Sequence, residues 1–159
     1  MDTISGYIDI ILESLNKKNQ VLDRIIEFDA AQKALLSAPE VDADEFERSL
    51  DTKAELIKQL EDLDEGFTSV YDRVKSELAD HKEEFSSQIG SMKELISQIT
   101  DKSVRIQAQE ARNKKLAQEY FARARKESGQ ARRTSTMTNS YYKSMHQADS
   151  ASQFFDKQK

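Results

Sequence analysis

The sequence predicts an all-α protein, an elongated antiparallel three-helix bundle or coiled coil with a flexible C-terminal tail. Apolar residues recur at steps of three and four over most of the chain, which places them on one face of each helix. One proline and four glycines among 159 residues leave few interruptions. Because 37% of the residues are hydrophobic and 33% are charged, one thin core is expected. Residues 1 to 127 are assigned to the bundle and residues 128 to 159 to the tail.

The first helix is predicted over about residues 3 to 37. Its apolar positions share one face: Ile4, Ile8, Ile11, Leu15, Leu22, Ile25 and Leu35. Pro39 then stops the helix, since a proline lacks the amide hydrogen that a further turn would use.

The second and third helices are predicted over about residues 44 to 80 and 85 to 127. Asp42 or Asp44 offers an N-cap acceptor, and Glu45 suits the positive end of a helix dipole. A heptad seam then runs through both helices: Phe46, Leu50, Ile57, Leu60, Phe67, Val70, Val74, Leu78, Phe85, Ile89, Met92, Leu95, Ile99 and Ile106. No proline separates the two helices, so one continuous rod of about 120 Å is the alternative to a hairpin near residues 80 to 90.

The charge distribution favours the hairpin. Residues 1 to 104 hold 12 Lys/Arg and 24 Asp/Glu, net −12, whereas residues 105 to 159 hold 12 and 5, net +7. A chain folded back near residue 84 places position i opposite position 168 minus i, so Arg105 faces Asp62 to Glu65 and Arg123 faces Asp42 to Glu45. Exposed pairs contribute only ~0.2 to 1 kcal/mol each, so this pattern sets helix direction more than stability. It also accounts for the basic segment without nucleic acid as a partner.

Composition and motifs exclude several classes of protein. No apolar stretch approaches the ~20 residues that cross a membrane, and the N-terminus lacks a signal pattern, so membrane insertion is not expected. The absence of cysteine excludes disulfides and thiolate metal sites and is compatible with a cytoplasmic location. The glycines stand alone rather than in a phosphate loop. His81 with Glu77 and Glu84 is a weak metal-like spacing, so no enzyme, metal or cofactor is expected.

The third helix carries the first group of candidate binding residues. Its seam is interrupted by Ser103 and by Glu110 or Asn113, and polar residues in a seam either fix register or line a contact with a partner. Both interpretations stay open for Asn113. A denser apolar stripe follows it, which either packs within the bundle or forms the candidate protein-binding site: Leu116, Tyr120, Phe121 and Ala124.

The tail carries the second group. Residues 128 to 159 are too polar to offset the entropy of ordering, so the tail is expected to be flexible on its own. Residues 138 to 145 can form one or two turns of helix on docking into a groove. Four aromatic residues lie in this polar stretch and are candidates for contact with a partner: Tyr141, Tyr142, Phe154 and Phe155.

Several short motifs occur in a fixed order along the chain. The second helix contains Lys53-x-x-Leu56-Ile57-x-x-Leu60-x-x-Leu63-Asp64-x-x-Phe67, and the third contains Leu95-Ile96-x-x-Ile99 and Asn113. This combination resembles the FlgN family of bacterial flagellar proteins. The tail is similar to that of Gram-positive members through Tyr141-Tyr142-Lys143 and Gln153-Phe154-Phe155-Asp156-Lys157. The resemblance spans almost the whole chain, but Gln158 interrupts the consecutive lysines with which family members often end.

The resemblance implies a chaperone of flagellar type III export in the bacterial cytoplasm. Proteins of this family bind the hook-associated (hook-filament junction) proteins and cover an amphipathic terminal helix that would otherwise self-assemble. They deliver these clients to the export gate and contact its cytoplasmic domain through their C-terminal region. We place the client on the third-helix stripe, with Asn113 at its margin, and we assign the tail aromatics to the gate or to closure over the client. The alternative is a structural coiled-coil adaptor that oligomerises through the seam, for example as a homodimer.

Overall fold

Three long α-helices joined by two short connections make up the fold in a computed structural model that describes residues 3 to 125. Helix α1 spans Thr3–Leu36, α2 spans Ala43–Asp80 and α3 spans Ser86–Ala124. No strand occurs among these residues. The predicted all-α three-helix bundle is confirmed, while the predicted tail at 128 to 159, with its short helix at 138 to 145, lies outside the described residues.

The connection between α1 and α2 is built from the expected breaker and cap. Pro39 lies in it, and Asp42 is the N-cap of α2 with extended backbone. An Asp42 side-chain oxygen accepts a hydrogen bond from the Glu45 backbone N–H at 3.1 Å. This bond satisfies one of the amide groups that the first turn of a helix leaves without a partner.

Residues 81 to 85 form the turn between α2 and α3. The His81 backbone N–H donates to the Glu77 carbonyl at 3.0 Å, and its ring Nδ1 lies 2.9 Å from the same oxygen. Farther along the helices, Lys53 Nζ lies 2.9 Å from Glu110 Oε1 although 57 residues separate them. Such a contact requires the chain to fold back, so α2 and α3 form the hairpin rather than a continuous rod.

Helix α1 packs against both of the other helices. It runs antiparallel to α2, where Lys18 contacts Asp64, and parallel to α3, where Asn19 contacts Gln98. Within the described part of the chain, the close approaches between helix backbones, with Cα atoms within 8 Å, are those of α1 with α2 and of α1 with α3. Helices α2 and α3 therefore meet through long side chains rather than through closely packed backbones.

The exposed charge pairs expected between α2 and α3 are not the ones that the structure contains. Arg105 and Arg123 are exposed, and the ion pair that joins these helices is the buried contact of Lys53 with Glu110. Glu110 lies five residues before position 115, which folding back at residue 84 would place opposite Lys53. Long exposed side chains gain little from pairing in water, whereas a buried charge requires a partner.

Two apolar clusters form the core. The long cluster contains most of the seam and extends from the hairpin to the middle of the bundle, through residues such as Ile25, Ile57 and Ile106. The end cluster lies where α1 ends, α2 begins and α3 ends: Leu36, Phe46, Leu50, Ala117 and Phe121. All fourteen predicted seam residues are buried or half-buried. The heptad pattern is thus used to pack three helices of one chain.

Candidate functional site

The end cluster is built around the ring of Phe46 at the start of α2. Its centroid lies 5.8 Å from that of Phe121 and 5.9 Å from that of Tyr120, the latter in an edge-on arrangement. Such aromatic pairs contribute about 0.5 to 1.5 kcal/mol beyond the area that they bury. A rim of half-buried apolar side chains from α1, the α1–α2 connection and α3 borders this centre: Leu35, Val41, Leu116, Tyr120 and Ala124.

The predicted stripe on α3 therefore divides into two parts. Phe121 is only 4% exposed and belongs to the interior of the end cluster. Leu116, Tyr120 and Ala124 are half-buried and lie on the rim. Their role in client binding stays a prediction. What the geometry adds is that a substitution of Phe121 would disturb the bundle itself, whereas Leu116 and Ala124 can be changed at the rim.

Asn113 is fully buried and ties α3 to α1. Its side-chain amide donates to the backbone carbonyl of Asp29 at 2.9 Å and to Gln32 Oε1 at 3.3 Å. Polar side chains in a helical seam that bond to a neighbouring helix fix the register of the two helices. The register interpretation of Asn113 accounts for these contacts, since its side chain is inaccessible from the rim.

A polar layer centred on Lys53, which is fully buried, lies between the end cluster and the long cluster. Lys53 Nζ donates to Asp29 Oδ1 at 2.8 Å, to Gln32 Oε1 at 2.7 Å and to Glu110 Oε1 at 2.9 Å. Gln32 in turn donates to Ser49 Oγ at 3.1 Å. One ammonium group thus connects all three helices, since Asp29 and Gln32 belong to α1 and Glu110 belongs to α3.

The polar layer contains one more carboxyl group than ammonium group. Burial, and then hydrogen bonding to Glu110, raise the pKa of Asp29 from its ordinary value of 3.8 to about 8, while Lys53 acts in the opposite direction. Asp29 Oδ2 has no hydrogen-bond donor among the described residues. With its pKa raised to about 8, Asp29 holds a proton at neutral pH, which leaves one carboxylate, that of Glu110, to balance the Lys53 ammonium group.

A second buried ion pair lies between α1 and α2, nearer the hairpin. Lys18 Nζ lies 2.6 Å from Asp64 Oδ1, and both residues are less than 10% exposed. Burial raises the pKa of the Asp64 carboxyl, and Lys18 partly opposes this shift.

The third feature is the hairpin groove, an apolar groove of about 560 Å³ between α2 and α3 on the side away from α1. Its apolar lining is Phe67, Tyr71, Leu78, Ala79, Ile89, Met92 and Ile96. Lys75, Lys82 and Lys93 complete the lining together with Ser86 and Gly90, and no carboxylate side chain belongs to it. Among the described residues, none of α1 lines the groove.

The described residues were compared with two further kinds of feature, a metal-binding cluster and a membrane-spanning helix. No group of three or more His, Cys, Asp or Glu side chains there is arranged to hold a metal ion. His81, the weak candidate, is exposed and contacts the end of its own helix. No helix in the same part of the chain is long and apolar enough to cross a membrane.

Sequence reasoning missed the buried charges because lysine and aspartate usually lie in solvent. A signal was present: stepping by four and three from Phe46 leads to Leu50, Lys53, Ile57, Leu60 and Asp64. Lys53 and Asp64 therefore occupy seam positions, where a charged side chain must have a buried partner. The second group of candidates, Tyr141, Tyr142, Phe154 and Phe155, lies outside the described residues.

Comparison with known proteins adds no relative. No protein-family model matches the chain, and no match is found among curated proteins or solved structures. The described residues define a three-helix bundle protein with a buried polar layer and two apolar surface features, the rim of the end cluster and the hairpin groove.

Proposed function

We propose that this protein is a bacterial cytoplasmic chaperone of flagellar type III export, similar to the FlgN family. In this role it binds the hook-associated proteins and keeps them competent for export by capping an amphipathic terminal helix. The observation that carries the proposal is the rim of the end cluster, where half-buried apolar side chains from α1, α3 and the α1–α2 connection surround a buried aromatic centre.

The physical basis is completion of a bundle. A client helix laid along Leu116 and Ala124 would remove the remaining apolar surface of the rim from water, which stabilises a complex by ~25 cal/mol per Å². A standard interface buries roughly 800 Å² per partner. Ordering a client segment costs roughly 2 to 5 kcal/mol of that gain, which keeps the complex reversible, as export requires.

The predicted site residues take distinct roles in this proposal. Leu116, Tyr120 and Ala124 contact the client from the rim, and Phe121 supports them from inside the end cluster. Asn113 holds α3 in register at the margin of the site. The tail aromatics, assigned to the export gate or to closure over the client, have no described position, so this part of the proposal rests on the sequence alone.

The occupied seam favours this proposal over a coiled-coil adaptor. An adaptor or homodimer that assembled through the seam would need it free, whereas the fourteen seam residues are buried or half-buried within one chain. Measuring the mass of the protein by sedimentation at increasing concentration distinguishes the chaperone from the adaptor. A constant monomer mass, with one client bound per chain, supports the chaperone, and a mass that rises with concentration supports the adaptor.

The client site is tested by calorimetric titration of purified hook-associated proteins with Leu116→Gln. We expect affinity to fall about tenfold or more, which corresponds to roughly 1.4 kcal/mol. Val104→Gln is the matched control, because Val104 is an apolar residue of α3 that is 61% exposed and lies outside the rim. Equal affinity of the two variants would move the site elsewhere, and no binding by the natural protein would reject the function.

A further inference from the structure

The hairpin groove lies at the opposite end of the bundle from the rim, so the proposed client site does not account for it. Apolar side chains of the long cluster reach this groove from both helices, Phe67 and Leu78 from α2 and Ile89 and Ile96 from α3. Gly90 opens its wall, since a Cβ added there would meet no described atom within 4 Å. An apolar groove of this volume between two helices can hold a further chain segment with bulky apolar residues.

The chain itself has a segment long enough to reach the groove. Twenty-nine residues separate Ile96, at the near end of the groove, from Arg125, so this part of α3 is ~44 Å long. The sequence continues for 34 residues beyond Arg125. Phe154 follows Arg125 by the same 29 residues, and an extended chain spans up to ~3.3 Å per residue, so Phe154 and Phe155 can reach the level of Ile96 with length to spare for the turn.

Charge also matches that segment to the groove. The lining contains Lys75, Lys82 and Lys93 and no carboxylate, although residues 1 to 104 carry an excess of 12 acidic residues. The tail is basic as a whole, but residues 144 to 156 contain Asp149 and Asp156 and no Lys or Arg. The part of the tail that carries Phe154 and Phe155 is thus its acidic part, and opposite charges orient a docking segment.

We propose that residues 144 to 156 dock in the hairpin groove of the same chain, with Phe154 and Phe155 on its apolar floor and the two aspartates towards its lysines. The docked tail then acts as a fourth segment of the bundle on the α2–α3 face. This inference needs no client, because it concerns the other end of the molecule. It does assign Phe154 and Phe155 to the groove, so that Tyr141 and Tyr142 are the tail aromatics left for the export gate or the client while the tail is docked.

The test uses the full chain, which has no cysteine and so accepts a single label without background. A nitroxide is attached to Ser152→Cys, and its broadening of backbone amide signals is measured by NMR. We expect strong broadening at Gly90 and Lys93 and none at Ala117 in the end cluster. The same measurement on a mixture of labelled and isotope-enriched chains shows whether the contact is intramolecular.

Two variants probe the groove and its occupant. Phe154→Ser with Phe155→Ser is expected to abolish the selective broadening, and Gly90→Leu to reduce it by filling the groove. Gly6→Leu is the matched control, since Gly6 is also an exposed helical glycine with no described atom within 4 Å of an added Cβ, but it lies on α1. Circular dichroism verifies that each variant keeps its helices.

Several results would overturn the proposal. Uniform or absent broadening would mean that the tail does not dock, and broadening only between chains would make a second copy the occupant. Equal loss of broadening in the Gly90→Leu and Gly6→Leu variants would mean that the tail does not dock in the groove. Failure of client binding to the rim leaves this outcome unchanged, so the two proposals can fail separately.

Discussion

Lys53 Nζ lies 2.8 Å from Asp29 Oδ1, and both side chains are fully buried between α1 and α2. The same ammonium group contacts Glu110 on α3, so one lysine of α2 contacts both of the other helices. A buried charge is tolerated only where partners replace the water that it lost. The polar layer is therefore the part of the core where a single substitution can leave a buried charge without a partner.

Replacing Lys53 by methionine is expected to destabilise the protein by about 3 to 5 kcal/mol, because the buried Glu110 carboxylate loses the cation that balances it and Asp29 loses a hydrogen-bond donor. Urea unfolding followed by circular dichroism measures the loss. Lys58→Met is the control on the same helix, because Lys58 is exposed. A surface substitution of this kind changes stability by roughly 0.5 kcal/mol or less. Similar values for the two variants would show that the polar layer contributes no specific stabilisation.

The raised pKa of Asp29 predicts a distinct dependence of stability on pH. Folding takes up a proton at this carboxyl between its ordinary pKa of 3.8 and its folded pKa of about 8. Its contribution is thus full below pH 3.8, falls by up to about 1.4 kcal/mol per pH unit as pH rises and is lost above about 8. Asp29→Asn keeps a hydrogen-bond donor but cannot titrate.

Unfolding free energies of the natural protein and the Asp29→Asn variant at several pH values between 5 and 9 measure this effect. The natural protein should lose stability relative to the variant up to about pH 8, and the difference should then level off. Parallel pH profiles for the two proteins would contradict the raised pKa of Asp29.

Asn113→Ala is expected to cost roughly 1 to 3 kcal/mol, because the Asp29 carbonyl would lose a buried hydrogen-bond donor. Thermal unfolding gives the comparison, with Gln118→Ala on the exposed face of α3 as control. If Asn113 sets register, client affinity should change little while stability falls. A large loss of affinity at unchanged stability would instead place Asn113 in the client site.

Phe121→Ala is expected to destabilise the bundle by about 3 to 5 kcal/mol through the cavity left beside Phe46. Amide hydrogen exchange should show the loss of protection first in the end cluster, since the long cluster is separate from it. Val104→Ala, at an exposed position, provides the control. An equal loss of protection at both ends would mean that the two clusters unfold as one unit.

The fold could be predicted because apolar spacing determines it directly. Phe46, Ile57 and Ile106 lie in the core because each belongs to the apolar face of its helix, and that face is buried when the helices pack together. Pro39 and Asp42 marked the first connection, since each has a local effect that does not depend on distant residues. The second connection was harder to place because the seam continues across it through Phe85.

The candidate site was less accessible to sequence reasoning. Phe121 and Leu116 belong to one apolar stripe, yet one is buried in the end cluster and the other lies on its rim. That division depends on where Phe46 of another helix lies, which periodicity within α3 does not specify. The contact of Lys53 with Glu110 likewise depends on the register between helices, and charge counts over long segments do not resolve it.

The two buried ion pairs between α1 and α2 share one spacing. Lys18 precedes Asp29 by 11 residues, and Lys53 precedes Asp64 by 11 residues. The antiparallel arrangement brings each lysine to the aspartate of the other helix. In a parallel alignment, the two buried lysines would face each other, and each would lose its aspartate partner. The two contacts thus favour the antiparallel orientation of α1 and α2 over a parallel one, a choice that apolar periodicity within each helix does not make.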